Sequence, residues 1–278
     1  MAQKVSPLKE TIKHVCIGFV LFFAFLPFYL MIVISFKDND QFDANPFGFD
    51  AIGSWKWQNW TKGWDTVSTS IANSILTSGG AVALCLIMAL LTSYVLARYR
   101  FPGREVVYYL LIATMFLPST AATLVTLFTL VKDLGLMNSL WTLVLVGAVG
   151  GQVVCVFILW QFIEEIPKEL FESAEIDGAG HIQQIRNIVV PLSGGVMGTL
   201  AIMQFIGNWN NLMLPLLTMT DTHKLTIPVS LMRLEGEYVK QWGELMAGYA
   251  IASIPLIVLF LFTMRLFVKG LAAGAVKG

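Results

Sequence analysis

The sequence predicts an all-α polytopic membrane protein with six transmembrane helices. Two observations carry that prediction. The 278-residue chain is 56% hydrophobic and 13% charged, about half the charge fraction of an ordinary soluble domain. Its apolar residues fall into six charge-free runs, at 15–36, 66–97, 106–131, 134–163, 187–220 and 245–264. Each is long enough for a helix of about 20 residues to cross the hydrocarbon of a bilayer.

The first run, 15–36, reads as a span and not as a cleaved signal. It is longer than a signal-peptide apolar core, and no small-residue cleavage pattern follows it. The segment 37–65 carries Asp38, Asp40, Asp43, Asp50 and Asp65, with Trp55, Trp57, Trp60 and Trp64. An interfacial aromatic belt is the favoured reading of the tryptophans; a small folded cap or a partner site are the others. The run 66–97 ends at the Arg-rich turn Arg98–Arg104. In the run 106–131, Met115 and Pro118 suggest a bend, with Met115 packing in the core. The run 134–163 holds Gly147 and Gly151, and the run 187–220 holds Gly194 and Gly198. Both are small-xxx-small pairs that suit close helix packing. The run 187–220 exceeds one crossing and contains Pro191, Gly207 and Pro215, so a kink or unwound section is expected. The segment 221–244, with Pro228, Gly236, Trp242 and four acidic residues, suits a loop that enters a central cavity or meets an external partner.

Lys and Arg favour the cytoplasmic side. With both termini inside, eleven basic residues lie inside and seven outside. Both termini and the segment 164–190 are therefore expected in the cytoplasm. The expected organisation is 1–66 as tail, first span and external segment, 67–264 as a five-helix transmembrane domain, and 265–278 as a cytoplasmic tail.

Several functions are disfavoured. The formal net charge is zero, so nothing suggests nucleic acid. There is no phosphate-binding G-x-x-x-x-G-K-[ST] loop, no H-E-x-x-H and no G-x-S-x-G. His14 and His223 stand alone near span ends and read as interfacial residues. Cys16, Cys85 and Cys155 lie inside spans and read as small buried hydrophobes. No metal set is expected. The runs hold no charged residue, whereas ion-coupled carriers usually keep one in the bilayer interior. Energy for transport would then come from another chain.

The densest polar stretch is 167–191, PKELFESAEIDGAGHIQQIRNIVVP. Leu170, Phe171, Ala174 and Ile176 make one apolar stripe, with Glu169, Glu172 and Glu175 outside it. Ile182, Ile185, Ile188 and Val189 make another. Between them Asp177-Gly178 is a turn signal, with Gly ending one helix and Asp free to cap the next. Two short amphipathic helices are expected, with Pro191 opening the following span. Helices this short need a surface to bury their apolar faces, either the chain's own spans or a soluble subunit.

Glu172-Ser173-Ala174, three residues, Gly178, nine residues and Ile188-Val189-Val190-Pro191 resemble the E-A-A-x3-G-x9-I-x-L-P loop of bacterial ABC importer permeases. Ser173 replaces Ala and Val190 replaces Leu. Asn73-Ser74, Ala97–Phe101, Leu134–Asn138, Trp209-Asn210 with Pro215-Leu216, Ile227–Val229, Gly236-Glu237 to Trp242-Gly243 and the tail 268–278 are similar to the maltose-transporter type of the carbohydrate branch. Residues before about 67 match loosely.

The resemblance implies a type I ABC importer permease fold and a subunit that is not itself an enzyme. It implies a second permease with its own EAA loop, an ATPase dimer that carries the ATP and Mg, and an external binding protein that delivers the sugar. Glu172, Ser173, Ala174, Asp177, Gly178 and Ala179 would sit in the loop that docks the ATPase. Asn208, Trp209 and Asn210, with Gln204 as a weaker candidate, could line a sugar path or serve helix packing; amides pair with sugar hydroxyls and an indole face stacks on a sugar ring. Glycerol phosphate or another non-sugar solute, a self-powered secondary carrier and a purely structural or signalling subunit stay open as alternatives.

Overall fold

The computed structural model describes residues 7–116, 121–235 and 240–275. Among them every regular element is a helix, in the order α1 (Pro7–Ser35), α2 (Asn39–Ala44), α3 (Gln58–Arg98), α4 (Arg104–Thr114), α5 (Ala121–Asp133), α6 (Leu140–Val149), α7 (Gln152–Glu164), α8 (Lys168–Ile176), α9 (His181–Gln184), α10 (Val190–Trp209), α11 (Met213–Thr218), α12 (Ile227–Leu234) and α13 (Trp242–Ala275). Four helical stretches are long and apolar enough to cross a bilayer: Glu10–Ser35, Gln58–Arg98, His181–Trp209 and Trp242–Thr263. The pair α6 and α7, bent by 47°, makes a fifth. The expected third span falls on α4 and α5, with residues 117–120 between them. Pro118, the Gly236-Glu237 pair and residues 276–278 lie outside the described residues. Met115 is half exposed at the end of α4.

Helix ends differ from the charge-free runs for physical reasons. Helix α3 begins at Gln58, eight residues before its run, because Lys62 and Asp65 sit on exposed parts of its first turns. The fifth run does not continue to 220. Its helix stops at Trp209 with Asn210 as its cap, and Asn211 starts the next turn, its side chain accepting a hydrogen bond from the Leu214 N–H ahead of it at 3.2 Å. Asn competes with the helical ladder in this way and favours caps and turns.

The chain divides into two compact units. The first comprises residues 1–68 and 230–254. In it Asp38 caps α2 in a reciprocal box, accepting from the Gln41 N–H at 2.9 Å while the Gln41 side chain accepts from the Asp38 N–H at 3.0 Å. The Lys37 ammonium is 2% exposed and pairs with Asp50 at 2.7 Å. Asn59 donates to the carbonyls of Ser35 and Lys37. Phe36 is ringed by Trp55, Trp57 and Trp60, with ring centroids 4.7, 5.0 and 5.6 Å away. Three of the four tryptophans therefore build a folded cap. Trp57 keeps 60% of its surface exposed, so packing on Phe36 and a place at the interface are compatible for it. Cys16, expected to be buried, is exposed on α1 beside exposed Phe19, Phe22 and Phe23.

The second unit comprises residues 69–229 and 255–278. Its core joins Cys85, Ala89 and Tyr94 of α3, Cys155, Leu159 and Ile163 of α7, Phe171 of α8 and Leu200 of α10. Two segments that resemble family signatures fasten residues 218–227. Helix α5 ends in a left-handed Gly135 at φ +67, with the Leu136 N–H bonded to the Val131 carbonyl and the Gly135 N–H to that of Lys132. This pattern is a Schellman stop. Asn138 then adopts φ +56, and its Oδ1 accepts from the N–H groups of Thr220 and Asp221 at 2.6 and 3.0 Å. From α3, Asn73 donates to the carbonyls of His223 and Leu225, and Ser74 Oγ accepts from the Ile227 N–H at 2.9 Å.

Candidate functional site

The polar loop folds as the stripes suggest. Helix α8 is anchored by Phe171, which is fully buried, worth about 2–3 kcal/mol in apolar transfer. The Arg98 guanidinium at the end of α3 lies 3.8 Å from the Phe171 ring centroid, within cation–π range. Helix α8 stops at Asp177. Gly178 has φ +77, its N–H donates to the Glu175 carbonyl at 3.0 Å, and the Ala179 N–H reaches the Ala174 carbonyl at 2.8 Å. These two bonds again form a Schellman stop, in which the left-handed position favours glycine. Ala174 and Gly178 are thus tied by one hydrogen-bonded turn, in which Ala174 and Ala179 are half-buried and Gly178 is exposed.

Asp177 does not cap the next helix. It ends α8, and Gly180 begins α9, with the Gln183 side chain accepting from the Gly180 N–H at 2.9 Å. Two residues of extra turn separate the helices, so Asp177 stands too early to reach the first N–H groups of α9. Nor does Pro191 open a separate span. The chain passes from α9 through a π-helical turn, Ile185–Val189, into α10, and the Val190 N–H bonds to the Ile185 carbonyl. Pro191 lacks an N–H, so a regular bond back from that position is impossible and the turn before it widens.

The second half of the loop is tied to α3. The Tyr94 hydroxyl donates to Gln184 Oε1 at 2.7 Å, the Gln184 amide reaches the Ala179 carbonyl at 3.4 Å, and the Tyr99 hydroxyl lies 2.9 Å from the His181 ring nitrogens. Gln184 is 2% exposed. Sequence reasoning missed Tyr94, Tyr99 and Gln184. The one signal for Gln184 is an amide one residue before Ile185 in an apolar stripe.

What remains outward is a surface. Glu169, Glu172, Glu175 and Asp177 are exposed. Ser173 donates to the Glu169 carbonyl at 2.7 Å. Ile176 and Ile182 flank the turn at 87% and 81% exposure. Apolar tips within an acidic rim suit a partner surface with a hydrophobic cleft and basic edges.

The amide candidates lie on and after the last turns of α10. Gln204 and Asn208, four residues apart, pack against Gly151 and Gly147 respectively. Asn208, with Thr77, Asn211 and Thr226, also borders a cleft of about 10 Å³, the size of one water. Trp209 is 3% exposed and stacks on Phe205 at 5.5 Å. Asn210 caps α10 and is exposed. Among the described residues, a Cβ on Gly194 would meet nothing within 4 Å, so no close packing is seen there.

Comparison with known proteins places this arrangement. Residues 82–273 match the family described as binding-protein-dependent transport system inner membrane component. The chain is 29% identical to the arabinooligosaccharides transport system permease protein AraQ of Halalkalibacterium halodurans, over the whole of both chains. It is 32% identical to the diacetylchitobiose uptake system permease protein DasC of Streptomyces coelicolor, over 91% of each. A crystal structure of a bacterial ABC transporter involved in the import of alginate has a chain of the same fold, with a TM-score of 0.82 at 17% identity, covering 95% of this chain and 98% of that one.

Proposed function

The chain belongs to the family of binding-protein-dependent transport system inner membrane components, and from that premise we propose how it works within a sugar importer. It is a permease subunit of a multi-pass inner-membrane importer served by a binding protein. It spans the membrane six times with both termini in the cytoplasm. It pairs with a second permease that has its own EAA loop, and an ATPase dimer supplies ATP hydrolysis on Mg. The division into 1–66, a transmembrane domain over 67–264 and a tail over 265–278 goes with this reading.

One observation carries the coupling role. The Schellman turn holds Ala174, Gly178 and Ala179 in a fixed shape, while Phe171 and Gln184 fasten the loop to α3 from behind. The face left over, with Glu172, Ile176 and Ile182, is rigidly backed, and among the described residues nothing covers the isoleucine tips. A partner that moves this face moves α3 and α10 with it. ATP-driven closure of the ATPase dimer would thereby alternate the access of the sugar path. The substrate class is an oligosaccharide, the solute class in the names of both relatives. Of Gln204, Asn208, Trp209 and Asn210, the exposed Asn210 is the one open to a passing sugar; the other three would serve the wall.

The test is co-purification with the ATPase and uptake into vesicles, for wild type, Glu172→Ala and Gly178→Pro. Proline fixes φ near −65° and removes the N–H, which Gly178 uses at φ +77. Gly178→Pro is expected to abolish uptake while the protein still accumulates in the membrane. Glu172→Ala is expected to weaken ATPase retention. Full uptake with both variants, or a protein that never retains an ATPase, would overturn the proposal.

A further inference from the structure

A second site lies away from the docking face and the amide row. Between the end of α3, the start of α4 and the end of α7 is a cleft of about 270 Å³, lined by Leu96, Arg104, Glu105, Tyr108, Trp160 and Glu164. Its volume is near the lower end of the range for small-ligand sites.

Three features describe its occupant. The first is an orphan donor. Trp160 Nε1 is buried and has no hydrogen-bond partner among the described residues, and a buried unmet donor is costly to leave that way. Tyr108 and Arg104 hold the indole in place, with the Tyr108 ring 4.5 Å and the Arg104 guanidinium 5.9 Å from its centroid. The second feature is spare capacity on Arg104. It meets Glu164 through Nη2 alone, at 3.3 Å, although guanidinium offers five donors that suit a phosphate. The third is charge. One cation and two carboxylates line the cleft, so its formal balance is −1. A purely anionic ligand would meet net repulsion, whereas one that adds an ammonium beside its phosphate balances it.

The outer face of α4 adds an apolar track. Val106, Tyr109 and Leu110 are 62–64% exposed, next to the cleft and at helical spacing along one side.

We propose that this cleft seats the headgroup of a zwitterionic aminophospholipid. The phosphate takes the Arg104 guanidinium, and the Trp160 indole N–H joins it once the ring turns to bring that sealed donor to the cleft. The primary ammonium takes Glu105 and Glu164. The acyl chains lie along Val106, Tyr109 and Leu110. A free zwitterion of the same headgroup would leave that track unused, which selects the lipid.

The test is native mass spectrometry of the full chain, in the assembly with which it co-purifies, exchanged into phosphatidylethanolamine, phosphatidylcholine or phosphatidylglycerol of matched chains. Phosphatidylethanolamine is expected to be retained about fivefold better than either of the others, the weight of one hydrogen bond or more. Trp160→Phe keeps the ring and removes the N–H, and should cut retention about fivefold; Arg104→Gln should cut it about tenfold or more. Equal retention of the three lipids, or wild-type retention in both variants, overturns the proposal. Loss of another subunit from the assembly in either variant also overturns it, since the cleft would then be a protein contact.

Discussion

A Cβ on Gly147 would collide with Oδ1 of Asn208, and one on Gly151 with Nε2 of Gln204. Two glycines four apart thus receive two amides four apart, and this pairing sets the register of α10 on the α6–α7 bend. Ala81 Cβ closes the Gly147 site further, at 3.1 Å. Gly147→Ala is expected to lower stability by about 1–3 kcal/mol. Asn208→Ala in that background should restore part of the loss, with coupling of about 0.5 kcal/mol or more. Thermal denaturation in detergent reads the cycle. Strict additivity would mean that the two residues do not share this contact. Gly151→Ala should cost less, because the Gln204 amide ends a longer side chain and can swing away.

Asn138 takes a left-handed conformation and clasps residues 220–221 with one oxygen. Asn138→Ala keeps the strained φ and loses the clasp, so a cost of about 2 kcal/mol is expected. Asn138→Asp keeps the acceptor and loses the amide that donates to Thr220 Oγ1, so it should fall between. Protease nicking of the 219–226 segment would rank the three proteins. Equal nicking rates would show that the clasp contributes nothing.

The Cys85 and Cys155 sulfurs stand 3.9 Å apart, both buried. In membranes treated with copper-phenanthroline, Cys16→Ser protein should form an internal link between α3 and α7. After cleavage at methionine, the fragments containing residues 85 and 155 should migrate together until reduced. Fragments that separate without reductant would place the two helices further apart than described.

The Asp38 carboxyl is held below its ordinary value of 3.8, first by the Gln41 N–H and then by Lys56. Its folded pKa is depressed, so its contribution is present above the unfolded value and is lost as pH falls through the folded one. Asp38→Asn should therefore melt lower than wild type at pH 7, with the gap closing below about pH 4. A gap that is constant with pH would assign the effect to the cap's shape and not to its charge.

How much of this was legible depended on whether the deciding partner was local in sequence. The Gly178 turn was readable because a Schellman stop is built from adjacent residues and favours glycine. The switch from helix to open chain after Trp209 was half readable: Pro215 and the asparagines announced a break, but the Asn210 cap and the Asn211 to Leu214 bond located it. Gln204 and Asn208 stood out as amides in an apolar run, and Gly147 and Gly151 as a small pair. Nothing in the order of residues says that each set is the other's partner. Trp55, Trp57 and Trp60 were ambiguous for the same reason, since Phe36 lies about twenty residues before them. Gly194 looked like packing glycine, yet no described residue lies close to it.

The uninterrupted run from His181 through the π turn to Trp209 is 29 residues, about 43 Å at 1.5 Å per residue. Such a rod is a lever. A tilt of about 10° at its loop end would swing the far end, where Asn208 and Asn210 sit, by about 7 Å. The π turn sits near the short end of that lever, like a wrist, where an extra residue per turn lets the handle twist by a fraction of a turn while the shaft stays straight.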